Sequence, residues 1–186
     1  MKIRKYVLAP CMKSNWQATA WGILYGAFTS IIAIITSFLF DIFFQQSSLD
    51  APNVNGLVLA TIFLGGVIIS PIVETIIFQI LIFEIIGYQN KSKIALPFFL
   101  SVVFFSSSHI LSGIGHAAVM LVVGTMFSFI YVTARKNSKL IAFTTTTATH
   151  TSHNFIIFLL LLKYPELAWW FSCLIFFTLK SVKIKK

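Results

Sequence analysis

The chain has 186 residues, 58% of them hydrophobic and only 10% charged, with a formal net charge of +9. So little polar surface excludes an ordinary water-soluble domain and makes lipid the natural solvent. The basic residues flank hydrophobic segments instead of gathering on a soluble face with interleaved aromatics, which excludes a nucleic-acid partner.

Apolar runs follow one another at residues 16–40, 56–88, 94–111, 117–134, 140–162 and 167–179, most of them near the ~20 residues that cross a bilayer as a helix. This pattern predicts an all-α, polytopic transmembrane helix bundle of about six spans, a single integral membrane domain over residues 1–186. The first run is too long for the apolar part of a signal peptide, and no small-residue cleavage site follows it, so it is expected to stay. The second covers about 33 residues, roughly 50 Å as a helix against a ~30 Å hydrocarbon core. Pro71 in its middle predicts a break there, with a new or kinked helix from Ile72 onward. Cys11 and Cys173, at opposite ends, form no disulfide or metal-ligand pattern.

Charge sets the expected orientation. Lys2, Arg4, Lys5 and Lys13 precede the first run, Lys91 and Lys93 follow the second, Arg135, Lys136 and Lys139 follow the fourth, and four lysines close the chain. With one crossing per run, all but Lys163 fall on one side, which the positive-inside rule makes cytoplasmic along with both termini. A bacterial inner (plasma) membrane is the expected location.

A charge at mid-membrane costs about 2.5–3.5 kcal/mol on insertion scales, so an ionisable group there marks function until a structural role is found. Glu74, His109, and His150 with its neighbours His153 and Asn154 qualify; Glu84 lies near the end of its run, within reach of water. Counted at ~1.5 Å per residue from the ends nearest the basic loops, Glu74 is about 21 Å deep, His109 about 22 Å and His150 about 16 Å. Three helices thus bring polar groups to one level. His150 and Asn154 are four apart and share a helix face. A carboxylate, two imidazoles and a carboxamide at one depth amount to a general base, a partner for it and donors to an oxyanion. Taken singly, His153 and His116 read as histidines bonded to a neighbouring helix. The serines at 106–108 and threonines at 144–147 read as small polar residues that let helices pack closely.

Other intramembrane chemistries leave little trace. There is no HExxH for a zinc hydrolase. The only aspartates, Asp41 and Asp50, fall in a predicted outer loop, which disfavours an aspartyl dyad. Ser112-Gly113 has Ile110 where a serine-nucleophile turn wants glycine.

The ordered motifs resemble those of the CPBP family, the CaaX-processing and bacteriocin-processing (Abi) intramembrane peptidases. The family's proline followed by EExxxR is matched loosely by Pro71-Ile-Val-Glu-Thr-Ile-Ile-Phe-Gln79. Its FxxxH is matched by Phe105 to His109 and its HxxxN by His150 to Asn154, with Gly124 and Tyr131 similar to a glycine and a tyrosine in the intervening helix. The similarity covers a core of about residues 67–160. It implies that Glu74 is the general base, that His109 helps hold the water, and that His150 and Asn154 stabilise the oxyanion, acting on a membrane-associated peptide or protein. No metal is required by that scheme; zinc held by Glu74, His109 and His150 is the alternative.

Thr75 and Gln79 stand where the family has a second glutamate and an arginine. Four apart on one helix, the usual pair would be an ion pair. Replacing both partners strands no charge, so the helix is expected to keep its shape and Glu74 its place. A non-catalytic immunity or peptide-binding protein derived from the family is the alternative to an endopeptidase, and a transporter or proton relay is a third reading.

Overall fold

A chain in lipid must satisfy its backbone internally, which helices do. The computed structural model describes residues 14–44, 56–86 and 94–164, and these are helical apart from short connections, with no strand among them. Helix α1 spans Asn15–Phe44, α3 Ala95–Ser108, α4 Ile114–Ala134 and α5 Lys139–Lys163. Residues 56–85 form a composite helix, α2. In it the α-helical stretches Gly56–Ile62, Ser70–Glu74 and Ile82–Ile85 alternate with π-helical ones at Phe63–Ile69 and Thr75–Leu81.

Four segments are long and apolar enough to cross a membrane: Asn15–Leu39, Leu59–Ile85, Ala95–Ser112 and Ile114–Ala134. Two of the six expected runs are not among them. The fifth does form a helix, the 25-residue α5, but its threonines and histidines lower its hydropathy. The sixth, 167–179, lies outside the described residues, as do Cys11, Asp50 and Cys173. Asp41 is within the last turns of α1 and not in a loop, because the helix continues through the apolar residues that flank it.

The interruption expected at Pro71 takes the form of a change in hydrogen-bond register. Backbone angles remain helical from Ile69 (φ −73°, ψ −49°) to Thr75 (φ −63°, ψ −38°), while the Ser70 N–H reaches back five residues to the Gly65 carbonyl. In an unbroken α-ladder the proline ring would clash with the carbonyl four residues earlier. The wider π turn ahead of Pro71 relieves that clash. Pro71 has no N–H with which to continue the five-residue pattern, so the next carbonyl, that of Gly66, has no partner within the ladder.

Contacts between helices fix their directions. Going up α1, Gly22 lies against Thr145 and Ala148, Gly26 against Thr149 and Ser152, and Ser30 against His153, so α1 and α5 run parallel. Their backbones meet closely: a Cβ on Gly26 would be 2.5 Å from the Thr149 carbonyl oxygen. Helix α2 runs the other way, with Glu84 beside Lys139, Glu74 beside His150, Gly66 beside Asn154 and Phe63 beside Phe158. Helices α3 and α4 are antiparallel, tied by Ser101 to Ser128 (2.8 Å between hydroxyls) and by Ser106 Oγ donating to the Ala117 carbonyl (2.6 Å). The five described helices therefore alternate in direction.

One end of the bundle carries a charged cluster. Arg135 Nε and Lys139 Nζ lie 2.7 and 2.6 Å from the two oxygens of Glu84, and the Tyr131 hydroxyl donates to the same carboxylate at 3.3 Å. Below it Phe83 stacks on Tyr131 amid Ala18, Ala134, Ile141 and Ala142. Ser138 caps α5 there by accepting the Ile141 N–H at 3.0 Å, satisfying one of the free donors of a helix start. Glu84 is thus a structural ion-pair partner that ties α2 to the turn between α4 and α5. The second core cluster, Ala33, Phe105, Val119, Val123 and Phe127, lies toward the other end.

Candidate active site

Above that second cluster is a cavity of about 670 Å³, whose wall includes Glu74, His109, His116, His150, His153 and Asn154. All four residues singled out by the motifs therefore face one space, from three different helices. Phe105 is the common neighbour. Its ring lies 4.8 Å from that of His109 and 5.7 Å from that of His150, and Phe127 covers the other side of His150 at 4.4 Å. Gly124 makes this possible, since a Cβ there would lie 2.8 Å from Phe105 Cδ1. Close packing against small residues is how helices approach one another in lipid.

Glu74 Oε2 faces His150 Nε2 at 3.7 Å. Glu74 Oε2 is buried and has no hydrogen-bond partner in the protein. The other carboxylate oxygen, Oε1, accepts the hydroxyl of Ser70, one turn earlier on α2. His150 is 3% exposed, and its Nδ1 has no hydrogen-bond partner. The imidazole proton is then best placed on Nε2, opposite the carboxylate.

His109 sits where α3 ends, at φ −98° and ψ 1°, followed by a 3₁₀ turn, Ile110–Ser112. Gly113 (φ 116°) then reverses the chain into α4, a conformation that glycine adopts without strain. His109 Nδ1 is 2.8 Å from the Phe105 carbonyl oxygen. A carbonyl only accepts, so Nδ1 carries the proton and Nε2 keeps its lone pair.

Asn154 Nδ2 donates to the Gly66 carbonyl at 2.8 Å. That is the acceptor that Pro71 leaves without a helix partner. The carboxamide nitrogen has a second N–H, so this bond orients the side chain without exhausting it. His153 lines the cavity but is held from α1. Ser30 Oγ donates to the Gly26 carbonyl (2.9 Å) and so accepts from His153 Nδ1 (3.0 Å). The sequence reading of His153 as bonded to a neighbouring helix agrees with this contact.

Thr75 and Gln79 are 0% and 1% exposed, and neither the hydroxyl nor the amide atoms have a hydrogen-bond partner in the protein. They do not reproduce an intrahelical pair, although Glu74 beside them reaches the cavity. Ser70, Ser30 and the Gly66 carbonyl were not legible as site components. A serine one turn ahead of Glu74, beside the proline, is a usable signal for the first; nothing local in sequence marks the other two.

Among the described residues no three His, Cys, Asp or Glu side chains converge as a metal-holding group.

Neither a curated protein sequence nor a solved structure matches the chain. The family model described as type II CAAX prenyl endopeptidase Rce1-like matches residues 54–156, which run from just ahead of α2 to just beyond Asn154. That stretch is more than half of the chain and contains every motif residue on the cavity wall, so the chain belongs to the Rce1-like family of type II CAAX prenyl endopeptidases and is an integral membrane protein of a protease family.

Proposed function

We propose that the chain is a glutamate-dependent intramembrane endopeptidase that hydrolyses a peptide bond in a membrane-associated peptide or protein without a metal. The observation that carries this reading is the placement of Glu74 Oε2 opposite His150 Nε2 at 3.7 Å on the wall of the cavity. Glu74 removes a proton from water as the water oxygen attacks the scissile carbonyl. The Nε2 lone pair of His109 holds the second hydrogen of that water. The oxyanion accepts from His150 Nε2–H and from the second N–H of Asn154, and the proton taken by Glu74 passes to the leaving amine. General-base catalysis of this kind contributes roughly 10²–10⁴-fold, and loss of an oxyanion donor costs about 10²–10³. Ser70 holds the carboxylate in place from the side away from His150.

The test is cleavage of membrane-anchored peptides by purified protein in detergent, with and without chelator. Chelator-insensitive cleavage that falls at least about 100-fold in Glu74→Gln at equal folded yield is the expected result. A second reading is favoured by Thr75 and Gln79, which remove the family's charged pair beside the base: a non-catalytic immunity or peptide-binding protein. If wild type cleaves nothing and Glu74→Gln retains the cellular phenotype, that reading replaces the first.

A further inference from the structure

One turn below the cavity, toward the Glu84 cluster, four helices bury polar side chains that the hydrolytic scheme does not use. In the π-helical stretch Thr75–Leu81 the buried residues are Thr75 and Gln79, while Ile76, Ile77 and Leu81 face outward. This part of α2 thus turns its polar residues inward and its apolar ones to lipid. Gln79 lies midway between Glu74, which faces His150, and Glu84, which faces Lys139. At that level α5 presents Thr146, one turn below His150. Ser101 is one turn below Phe105 on α3, and Ser128 is one turn below Gly124, against which Phe105 packs. Gln79, Ser101, Ser128 and Thr146, all fully buried, therefore share a layer about 6–8 Å along the helices from Glu74 and His150.

The hydrogen-bonding capacity of this layer is not met by the protein. Thr145 and Thr149, on the face of α5 toward α1, return their hydroxyls to carbonyls one turn back at 2.8 Å each. Thr146, one residue further round the helix, does not. Among the described residues its hydroxyl has no partner, nor do the Thr75 hydroxyl, either end of the Gln79 amide, or Nδ1 of His150. The Ser101–Ser128 pair uses one of its two hydroxyl protons internally and leaves the other to donate elsewhere. Buried polar groups are nearly always satisfied, because the alternative is costly in an apolar interior. Groups that share a space without touching are bridged by water, which needs about two to four polar partners. There is room for it: threonine and glutamine are each smaller than the glutamate and arginine of the motif that the chain resembles, so side-chain volume is given up at this level.

We infer that this layer is a binding site for buried water, with the Gln79 amide as its hub, and that the bound water donates to His150 Nδ1. Water beside His150 donates to Nδ1 and accepts from the Thr146 hydroxyl. The Gln79 amide, which both donates and accepts, continues the network to Thr75 and to the serine pair. With Nδ1 accepting, the imidazole proton is held on Nε2, toward Glu74. Gln79 is thus a positioning residue that acts on His150 through water. The use of that Nε2–H on an oxyanion rests on the peptidase reading; the water site does not.

The test uses the whole protein in detergent. Gln79→Met keeps the length of the side chain and removes its polar atoms, Thr146→Val removes a hydroxyl at nearly constant shape, and Thr146→Ser keeps one. Histidine rings are labelled with nitrogen-15, and the His150 resonances are identified by their loss in His150→Gln. The expected result is an Nδ1 resonance at the position of a hydrogen-bonded acceptor, moving to that of a free acceptor in Gln79→Met and Thr146→Val but not in Thr146→Ser. A nuclear Overhauser effect between His150 Hε1 and water should be lost in Gln79→Met. Both apolar variants should also lower the thermal midpoint, since they remove satisfied groups. A raised midpoint in either overturns the inference, because deleting a dry, unpaired polar group stabilises. An Nδ1 resonance at the free position in the wild type, or unmoved in Gln79→Met, overturns it too. So does an Overhauser effect that persists in Gln79→Met, which places the water in the cavity. None of these readings requires cleavage, so they decide the water site whether or not the protein hydrolyses a peptide.

Discussion

The side-chain amide of Asn154 on α5 donates to the backbone carbonyl of Gly66 on α2, at 2.8 Å. That carbonyl is available because Pro71, five residues on, supplies no N–H to the π turn. A proline and an asparagine 83 positions apart in the chain thus depend on each other.

Asn154→Ala is expected to lower stability by about 1–3 kcal/mol, the range for leaving a buried acceptor unmade. In the Pro71→Ala background the loss should be smaller, because the substituted residue has a backbone N–H that can donate to the Gly66 carbonyl itself. Denaturant titration in detergent of the two single variants and the double variant measures the difference. Equal losses in both backgrounds would mean that Pro71 does not free the carbonyl.

Ser70→Ala removes the hydroxyl that holds Glu74 Oε1. Cleavage is expected to fall by roughly 10- to 150-fold, the effect of a hydrogen bond to a charged carboxylate worth about 1.5–3 kcal/mol. Ser70→Thr keeps a hydroxyl and should recover most of the rate. Measuring kcat and KM separately places the loss in kcat. A loss confined to KM would assign Ser70 to substrate binding.

Gly26→Ala puts a methyl group 2.5 Å from the Thr149 carbonyl oxygen and 2.6 Å from Ser152 Cβ. Backbone cannot yield as a flexible side chain would, so α1 must move away from α5 at about 1–3 kcal/mol, the range for overpacking. The bond between Ser30 and His153 lies on the same interface and should weaken with it. Thermal unfolding of the detergent-solubilised protein reads the first effect. A fall in activity larger than the fall in folded fraction reads the second.

Thr75 and Gln79 offer a double-variant cycle. Gln79→Arg alone buries a charge without a partner and is expected to cost about 3–5 kcal/mol, as breaking a buried pair does. Thr75→Glu together with Gln79→Arg restores the family's pair and should recover most of that loss. Recovery of stability with a gain in cleavage would show that the pair assists Glu74. Recovery without a gain would show that this site works with neutral neighbours.

Composition and run length made the helices, their membrane setting and the second span's difficulty at Pro71 legible, since backbone satisfaction in lipid leaves helices as the form open to these runs. Glu74, His109, His150 and Asn154 stood out because polar groups in apolar runs are conspicuous, and rise per residue alone puts them at one depth. The fate of Glu84 was not visible: its partners Arg135 and Lys139 belong to other helices, and only packing brings them within 2.7 Å. The contacts of Ser70, Ser30 and Gly66 were hidden for a related reason. In water an apolar stripe tells which face of a helix is inside, but here Ile69, Val73 and Ile77 face outward as apolar as the buried Val67 and Phe83. Lipid removes the contrast between inside and outside, so the sequence by itself determined which of the described residues form helices and how far along each helix its polar groups lie. The rotation of each helix about its axis, and with it which polar groups meet, was decided by close contacts at Gly22, Gly26 and Gly124 and by the π turns around Pro71.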